Sequence, residues 1–309
     1  CHQSSIINHQ SSIIVVDNNS TDRSLESIRS KYSHQFVSPP KKISKKGKAS
    51  SGPIRKNLST STIKLIKNRV NLGFAEGNNV GIRYSLKHKA DYCLILNNDT
   101  LIDKRTLIQL IELTEKDKKI GIVSPKIYFA RGFEFHKKRY SKNEQGKVIW
   151  YAGGKIDWEN VLASHRGVDE VDIGRYQKTS ETDFATGCCM LVKREVFEKI
   201  GLFDKKYFLY WEDNDFCQRA KKAGFKVYFD PQAFIWHKNA GSSGSGSSLH
   251  DYYITRNRLL FAFKYASLRA KIALIKESIA KLLRGRKWEK KGIIDFYLRK
   301  FGKGSWQKA

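Results

Sequence analysis

Apolar and polar positions switch between two periods along the first 125 residues. Ser12–Asp17 (SIIVVD) is a short β-branched run that stops at Asn18, Asn19 and Ser20. That pattern predicts a buried parallel strand followed by a turn. Ser20 or Asp22 can cap a helix over residues 23–30. A second strand is predicted over Thr62–Lys67, and a helix over 74–88 with Val80, Ile82, Tyr84 and Leu86 as apolar positions. A third strand covers 91–97 (DYCLILN). An amphipathic helix follows over 104–116, with Leu107, Leu110, Ile111 and Thr114 at helical spacing, and a fourth strand over 120–124. Such alternation argues for an α/β fold with a doubly wound, mainly parallel sheet. Ligands of such sheets sit beyond the carboxyl ends of the strands. Two of these segments end at Asp17 and Asp99, so a nucleotide site is expected along that edge.

The remainder is less regular. Residues 126–178 carry aromatics and the Gly153-Gly154 pair, and apolar residues return over 184–192 before a short helix near 195–200. Residues 212–223 (EDNDFCQRAKKA) predict a helix stopped by Gly224. Residues 226–230 and 233–237 are strand-like, 242–248 is a flexible Gly/Ser run, and 251–283 is helical and basic, a pattern repeated over 288–301. Residues 32–61 hold three of the five prolines and the run KKISKKGK, and are read as a mobile basic insertion. The division expected is a catalytic domain over 1–250 and a basic helical extension over 251–309.

Composition narrows the class. A chain of 309 residues with 40% hydrophobic residues, 17 Phe, 14 Tyr and 6 Trp can bury a sizeable core. No apolar run approaches the roughly 20 residues of a membrane-spanning helix. The start lacks both an initiator Met and the charged-then-apolar order of a signal peptide, which suggests a processed or partial chain, soluble or peripherally bound. Five cysteines, none in a CxxC pair, argue against a disulfide framework or zinc knuckle and for a reducing compartment. Cys93 and Cys189 read as small buried hydrophobes. The net charge of +28 attracts polyanions such as nucleic acid, anionic lipid or nucleotide phosphates, without choosing among them.

Single features are weak pointers. Asn97-Asn98-Asp99 at a strand end can be an ordinary turn. In strand geometry, however, Asn97 and Asp99 share a face and can turn together toward a cation. A diphosphate is commonly bound through Mg²⁺ or Mn²⁺ held by one or two carboxylates. Glu212, Asp213 and Asp215 open a helix, where acids favour the dipole, yet an acceptor hydroxyl also needs a base to take its proton. His237 after Ile235-Trp236 can be a core residue or a ligand of a Mn²⁺-type ion.

Together, the blocks VVDNNSTD (15–22), NLGFAEGNNVGI (71–82), LILNNDT (94–100), FATGCCMLVKREVFEKIGLFD (184–204), YWEDNDFCQRAKKAG (210–224) and IWH (235–237) closely resemble bacterial family 2 glycosyltransferases. The branch resembled includes rhamnosyl- and galactofuranosyltransferases, over about residues 1–262 less the insertion. The resemblance implies a glycosyltransferase-A fold and inverting, metal-dependent transfer from a nucleotide-diphosphate sugar to a saccharide or lipid-linked acceptor in cell-surface polysaccharide synthesis. It implies that Asp17 contacts the donor base or ribose. Asn19, Asn71, Gly73, Asn78, Asn97 and Asn98 fall in matching donor-site segments. Asp99 matches the last acid of the DxD motif, and His237 a histidine that completes the metal site in some members. Asp213, with Glu212 beside it, matches the base, and Thr186, Gly187 and Trp211 the acceptor side.

Two departures stand out. Asn97 stands where many members carry Asp, and the family's first strand would precede Cys1. A sugar-nucleotide-binding homologue with weak turnover is therefore one alternative. A polyanion-binding protein is another, though the charge lies mainly in the insertion and tail and no specific nucleic-acid partner is expected. Basic and apolar residues from 251 onward, including Arg256, Arg258, Leu259, Leu260, Phe261, Ile272, Leu274 and Ile279, suit a helix lying on an anionic membrane surface. A cytoplasmic enzyme at the inner face of the membrane is the expected setting.

Overall fold

The computed structural model describes residues 11–32, 62–239 and 247–306. The expected insertion (from 33 on) and most of the Gly/Ser run lie outside the described residues. The chain divides into two compact units, 1–72 and 73–309.

In the smaller unit, β1 (Ser12–Asp17), α1 (Ser24–Lys31) and β2 (Thr62–Lys67) form a βαβ arrangement. β1 and β2 pair in parallel from Ser12 opposite Thr62 to Asp17 opposite Lys67. A parallel pair needs a crossover connection, which contains α1.

The larger unit carries the main sheet. In chain order its elements are α2 (Gly73–Lys87), β3 (Tyr92–Leu96), β4 (Thr100–Ile102), α3 (Thr106–Lys116), β5 (Ile120–Phe129), β6 (Ile149–Tyr151), β7 (Gly154–Asp157), β8 (Leu162–His165), β9 (Ser180–Glu181) and β10 (Cys189–Lys193). Then come α4 (Arg194–Ile200), α5 (Glu212–Lys222), β11 (Lys226–His237), α6 (Ser248–Tyr265), α7 (Leu268–Arg284) and α8 (Lys287–Tyr297). The strand order is β3-β10-β5-β11-β4, with β6 added to β5 and β9 to β11, while β7 and β8 pair separately.

The α/β architecture is as expected, but among the described residues the parallel pattern holds only for β1–β2 and β5–β11. β10 runs antiparallel between β3 and β5, and β4 antiparallel beside β11. The reason is that β10 returns through the irregular middle of the chain, not through a helical crossover, so nothing obliges it to run parallel. β5 is buried at nine of its ten positions, and its two buried polar side chains are paired, Ser124 with Cys189 O and Lys126 with Asp172. The two strand-like runs near the end are one strand, β11, with a register shift between Asp230 and Phe234.

The tail differs from its sequence reading. Leu259, Leu260 and Phe261 are buried in the main core with Leu274, and Arg256 is wholly buried. α6 is therefore a core helix, not a lipid-facing one. Cys93, Cys188, Cys189 and Cys217 are buried and free, as small hydrophobes would be. Among the described residues no helix is long and apolar enough to cross a membrane.

Candidate active site

The strand order brings Asp99 and His237 together. β3 stops at Leu96, and residues 97–99 turn the chain into β4. The backbone N–H of Asn97 donates to Cys188 O at 2.9 Å, and Thr100 Oγ1 donates to Asn97 O at 2.7 Å. Because 97–99 is a turn, the shared-face relation of a strand does not apply to Asn97 and Asp99; Asn98 is the exposed member. β11 then sets His237 opposite Thr100, and Lys238 N donates to Asp99 O at 2.8 Å.

His237 Nε2 lies 3.2 Å from Asp99 Oδ1, without the angle of a hydrogen bond. Asp99 Oδ1 and His237 Nδ1 are both buried and lack a hydrogen-bond partner. Orphaned buried polar atoms are uncommon and costly, so they point to a missing partner. The His237 imidazole holds the Asp99 carboxyl below its ordinary range. Trp150 packs edge-on against His237, with ring centroids 4.8 Å apart, and likewise against buried His165 at 4.4 Å. Burial pushes His165 down to about 4, so it stays neutral behind the site. Among the described residues no group of three or more His, Cys, Asp or Glu side chains gathers as metal ligands. The corner thus offers one carboxylate and one imidazole, which fits a hard cation whose remaining ligands are phosphate oxygens and water.

A second corner opens α5. Gly187 N donates to Asp213 Oδ2 at 3.0 Å, while Asn214 donates to Oδ1 through its backbone N at 2.8 Å and its Nδ2 at 2.9 Å. Burial raises the Asp213 carboxyl, and these three donors pull the other way. Glu212 is 4% exposed, and its Oε2 has no partner. Burial, then the charge of Asp213, pushes Glu212 well above the carboxylate range. Asp213 is therefore the more readily ionised acid of the pair. Asp215 is fully buried and engaged by Arg219, Lys264 and Tyr265 at 2.8–2.9 Å, a structural role.

The turn at Thr186–Cys188 joins the corners. Gly187 bonds Asp213, and its neighbour Cys188 accepts from the Asn97 turn. Thr186 is buried, its Oγ1 accepting from Cys188 N at 3.3 Å. A Cβ on Gly187 would meet the Phe74 ring at 2.8 Å, so only glycine lets the start of α2 approach this turn.

A loop at 206–211 carries Asp213 into place. Phe208, Tyr210 and Trp211 all have positive φ, at 64°, 67° and 72°. Phe208 O accepts from Phe74 N at 2.6 Å and Ala75 N at 3.3 Å, fastening the loop to the start of α2. Gly73, with φ 77°, sits where a Cβ would lie 2.5 Å from Phe208 O. Asn78 Nδ2 donates to Phe74 O within the helix, whereas buried Asn79 ties α2 to Phe203 through both its Nδ2 and Oδ1. Trp211 is 6% exposed, its ring 4.8 Å from that of Phe261 and its Nε1 unpartnered.

Sequence reading missed the residues that hold this loop. Arg256 Nη2 donates to Tyr207 O at 2.9 Å and Lys206 O at 3.2 Å. Asn257 Nδ2 lies within 2.9 Å of Tyr207 O, Leu209 O and Tyr210 O.

In the smaller unit, Asp17 closes β1 at 8% exposure, its Oδ1 accepting from Ser20 N at 3.1 Å and its Oδ2 lacking a partner. Asn19 is exposed with φ 66°. Asn18 Nδ2 donates to Asn71 Oδ1 at 3.1 Å, and Asn18 Oδ1 accepts from Leu72 N at 3.0 Å.

Over residues 10–261 the chain matches the family model described as Glycosyltransferase like family 2. The low-salt glycan biosynthesis hexosyltransferase Agl10 of Haloferax volcanii is 29% identical over 180 residues, 58% of this chain and 53% of that protein. The rhamnosyltransferase WbbL of Escherichia coli K12 is 26% identical over 174 residues, 53% of this chain and 60% of its own. The chain thus spans between 53% and 60% of the length of these two relatives. The crystal structure of GalNAc-T7 with UDP, GalNAc and Mn²⁺ is similar with a TM-score of 0.52 at 14% identity, over 91% of this chain and 52% of that one, a likeness of fold. The glycosyltransferase-A type of fold and a family match running over most of its length agree: the chain belongs to glycosyltransferase family 2.

Proposed function

We propose that the chain is an inverting glycosyltransferase that moves a sugar, rhamnose or another hexose, from a nucleotide-diphosphate donor to a hydroxyl of a saccharide or lipid-linked acceptor, at the inner face of the cell membrane in cell-surface polysaccharide synthesis. The observation that carries the reading is the 186–188 turn, whose adjacent residues bond both Asp213 and the Asp99 turn. One short turn thereby fixes a candidate base beside a candidate diphosphate site.

Asp99 and His237 would hold Mg²⁺ or Mn²⁺, which when bound would neutralise charge on the donor diphosphate. Asp213 orients and deprotonates the acceptor hydroxyl. A carboxylate has about four lone-pair directions, and three are used by Gly187 and Asn214, leaving one for the proton. The hydroxyl oxygen bonds the anomeric carbon from the face opposite the diphosphate. The bond to the diphosphate breaks with its electron pair, and the stereochemistry inverts. Burial favours the protonated form of Glu212 and so leaves Asp213 the readier of the two to carry the charge. Asp17, Asn19, Asn71, Gly73, Asn78, Asn97 and Asn98 are assigned to the donor, and Thr186, Gly187 and Trp211 to the acceptor.

A panel of nucleotide sugars scored for Mn²⁺-dependent thermal stabilisation, followed by turnover with lipid-linked acceptors and NMR of the product anomer, tests the reading. Stabilisation by one donor and a product of inverted configuration are expected. Retention of configuration, or no response to any donor, would sink it.

A further inference from the structure

We propose that the outer face of α7 is a docking surface for an anionic lipid bilayer; the reading above enters only in setting the enzyme at a membrane. α7 has two apolar sides. Ala270, Leu274 and Ser278 are buried against the fold. On the side away from them Leu268, Ile272, Ile279 and Leu283 are 74%, 46%, 56% and 73% exposed, with half-buried Ile275 between. Steps of four, three, four and four residues make this one continuous stripe. At 100° per residue, Lys271 falls on one flank of the stripe and Arg269 and Lys276 on the other, with Arg284 beyond them.

Charge selects the occupant. Residues 267–306 hold twelve Lys and Arg against three acids, Glu277, Glu289 and Asp295. Each acid is engaged within the fold: Glu277 by Arg258 and Lys281, Glu289 by Lys281, Asp295 by Tyr252 and Ser305. Among the described residues no salt bridge involves Arg269, Lys271, Lys276 or Arg284. A second copy of this chain would bring the same cations against themselves, whereas an anionic headgroup layer neutralises them while the stripe enters the acyl boundary.

Flotation of the full chain with phosphatidylcholine vesicles containing about a third phosphatidylglycerol tests this. Wild type should float with these vesicles and not with phosphatidylcholine alone. Ile272→Asp with Ile279→Asp should lower the bound fraction about tenfold or more, and Lys271→Gln with Lys276→Gln several-fold. Ile272 and Ile279 are exposed, so melting and transfer to a soluble acceptor should not change in the aspartate variant. A failure of the transferase reading would show in that turnover assay and leave the flotation result intact. Wild type remaining in solution at low salt overturns the proposal. So does undiminished flotation of the aspartate variant, or a dimer that the variant dissolves while vesicle binding is unaffected.

A separate observation carries a second inference: Arg256 and Asn257 are positioning residues for Asp213. Three non-glycine residues of left-handed backbone in a row of four, 208, 210 and 211, are held only if the surroundings over-determine them. Arg256 and Asn257 supply donors to the carbonyls of 206, 207, 209 and 210, directly before the helix that bears Asp213. Asn257→Ser should lower kcat about tenfold or more with KM for the donor within about twofold. In an Asp213→Asn background the same substitution should leave kcat unchanged, because its effect runs through that carboxylate. An equal loss of kcat in both backgrounds, or a loss accounted for by a smaller folded fraction, overturns the assignment. Inactivity that Asp213→Asn does not reproduce would count against Asp213 as base, not against the clamp.

Discussion

At the scale of single residues, Asp99 and Asp213 are open to separate tests. Asp99→Ala should abolish Mn²⁺-dependent binding of a nucleoside diphosphate while stability changes by less than about 0.5 kcal/mol, because a partly exposed turn residue is being truncated. Calorimetric titration with and without Mn²⁺ reads this. His237→Ala is a less clean probe, since it also empties space beside Trp150. Asp213→Asn should cut kcat by about a hundredfold or more and leave donor affinity in place, as loss of a general base does. Glu212 gives a pH signature. Its folded pKa is raised, so its contribution to stability is full below the ordinary glutamate range and is lost as pH rises toward the folded value. Glu212→Gln should therefore raise the melting temperature at neutral pH and make no difference below about pH 4. A gain that is the same at both pH values would mean that the carboxyl is not desolvated.

At the scale of elements, what could be read in the chain depended on whether a rule of local chemistry applied. β1, β2, β3, α2, α3 and α5 fall within a residue or two of their predicted bounds, since each has a clean period and a turn at its end. Asp17 closes β1 and Asp99 follows β3, each at the end of a strand of its own sheet. The 206–211 loop gave no such signal. Aromatic side chains favour extended backbone, and left-handed geometry is ordinarily signalled by Gly or Asn. Phe208 and Tyr210 adopt it because the start of α2 and α6 fasten their carbonyls, and the Trp211 carbonyl accepts from Asp215 N in the first turn of α5. Gly73→Ala tests that fastening from the other side. The added Cβ would meet Phe208 O at 2.5 Å and force an L-residue to a φ of 77°. A loss of about 1–3 kcal/mol is expected, read by denaturant unfolding, and donor affinity should fall with it.

At the scale of the whole molecule, the tail is the instructive case. Interleaved Arg, Leu and Phe over 256–263 suggested a surface helix, because basic residues are rarely buried without a partner. The partners here are backbone carbonyls of a distant loop, which no local pattern reveals. Phe261 is wholly buried, with Trp211 and Tyr265 rings each 4.8 Å from its own. Trp211 precedes the two acids that open α5, so the core contact and the candidate base are neighbours in the chain. A truncation ending near 247 would remove Arg256, Asn257 and Phe261 together and leave the carbonyls of 207, 209 and 210 without those donors. Removing a Phe of this kind alone costs about 3–5 kcal/mol, a large part of the roughly 5–15 kcal/mol by which a domain is stable. The truncated chain should therefore lose cooperative thermal unfolding and bind no nucleoside diphosphate. Ile272→Asp with Ile279→Asp, which alters exposed apolar surface of the same tail and none of the core, should melt as wild type does. If calorimetry instead found a cooperative transition in the truncated chain at the wild-type temperature, α6 would be an appendage and not part of the catalytic core.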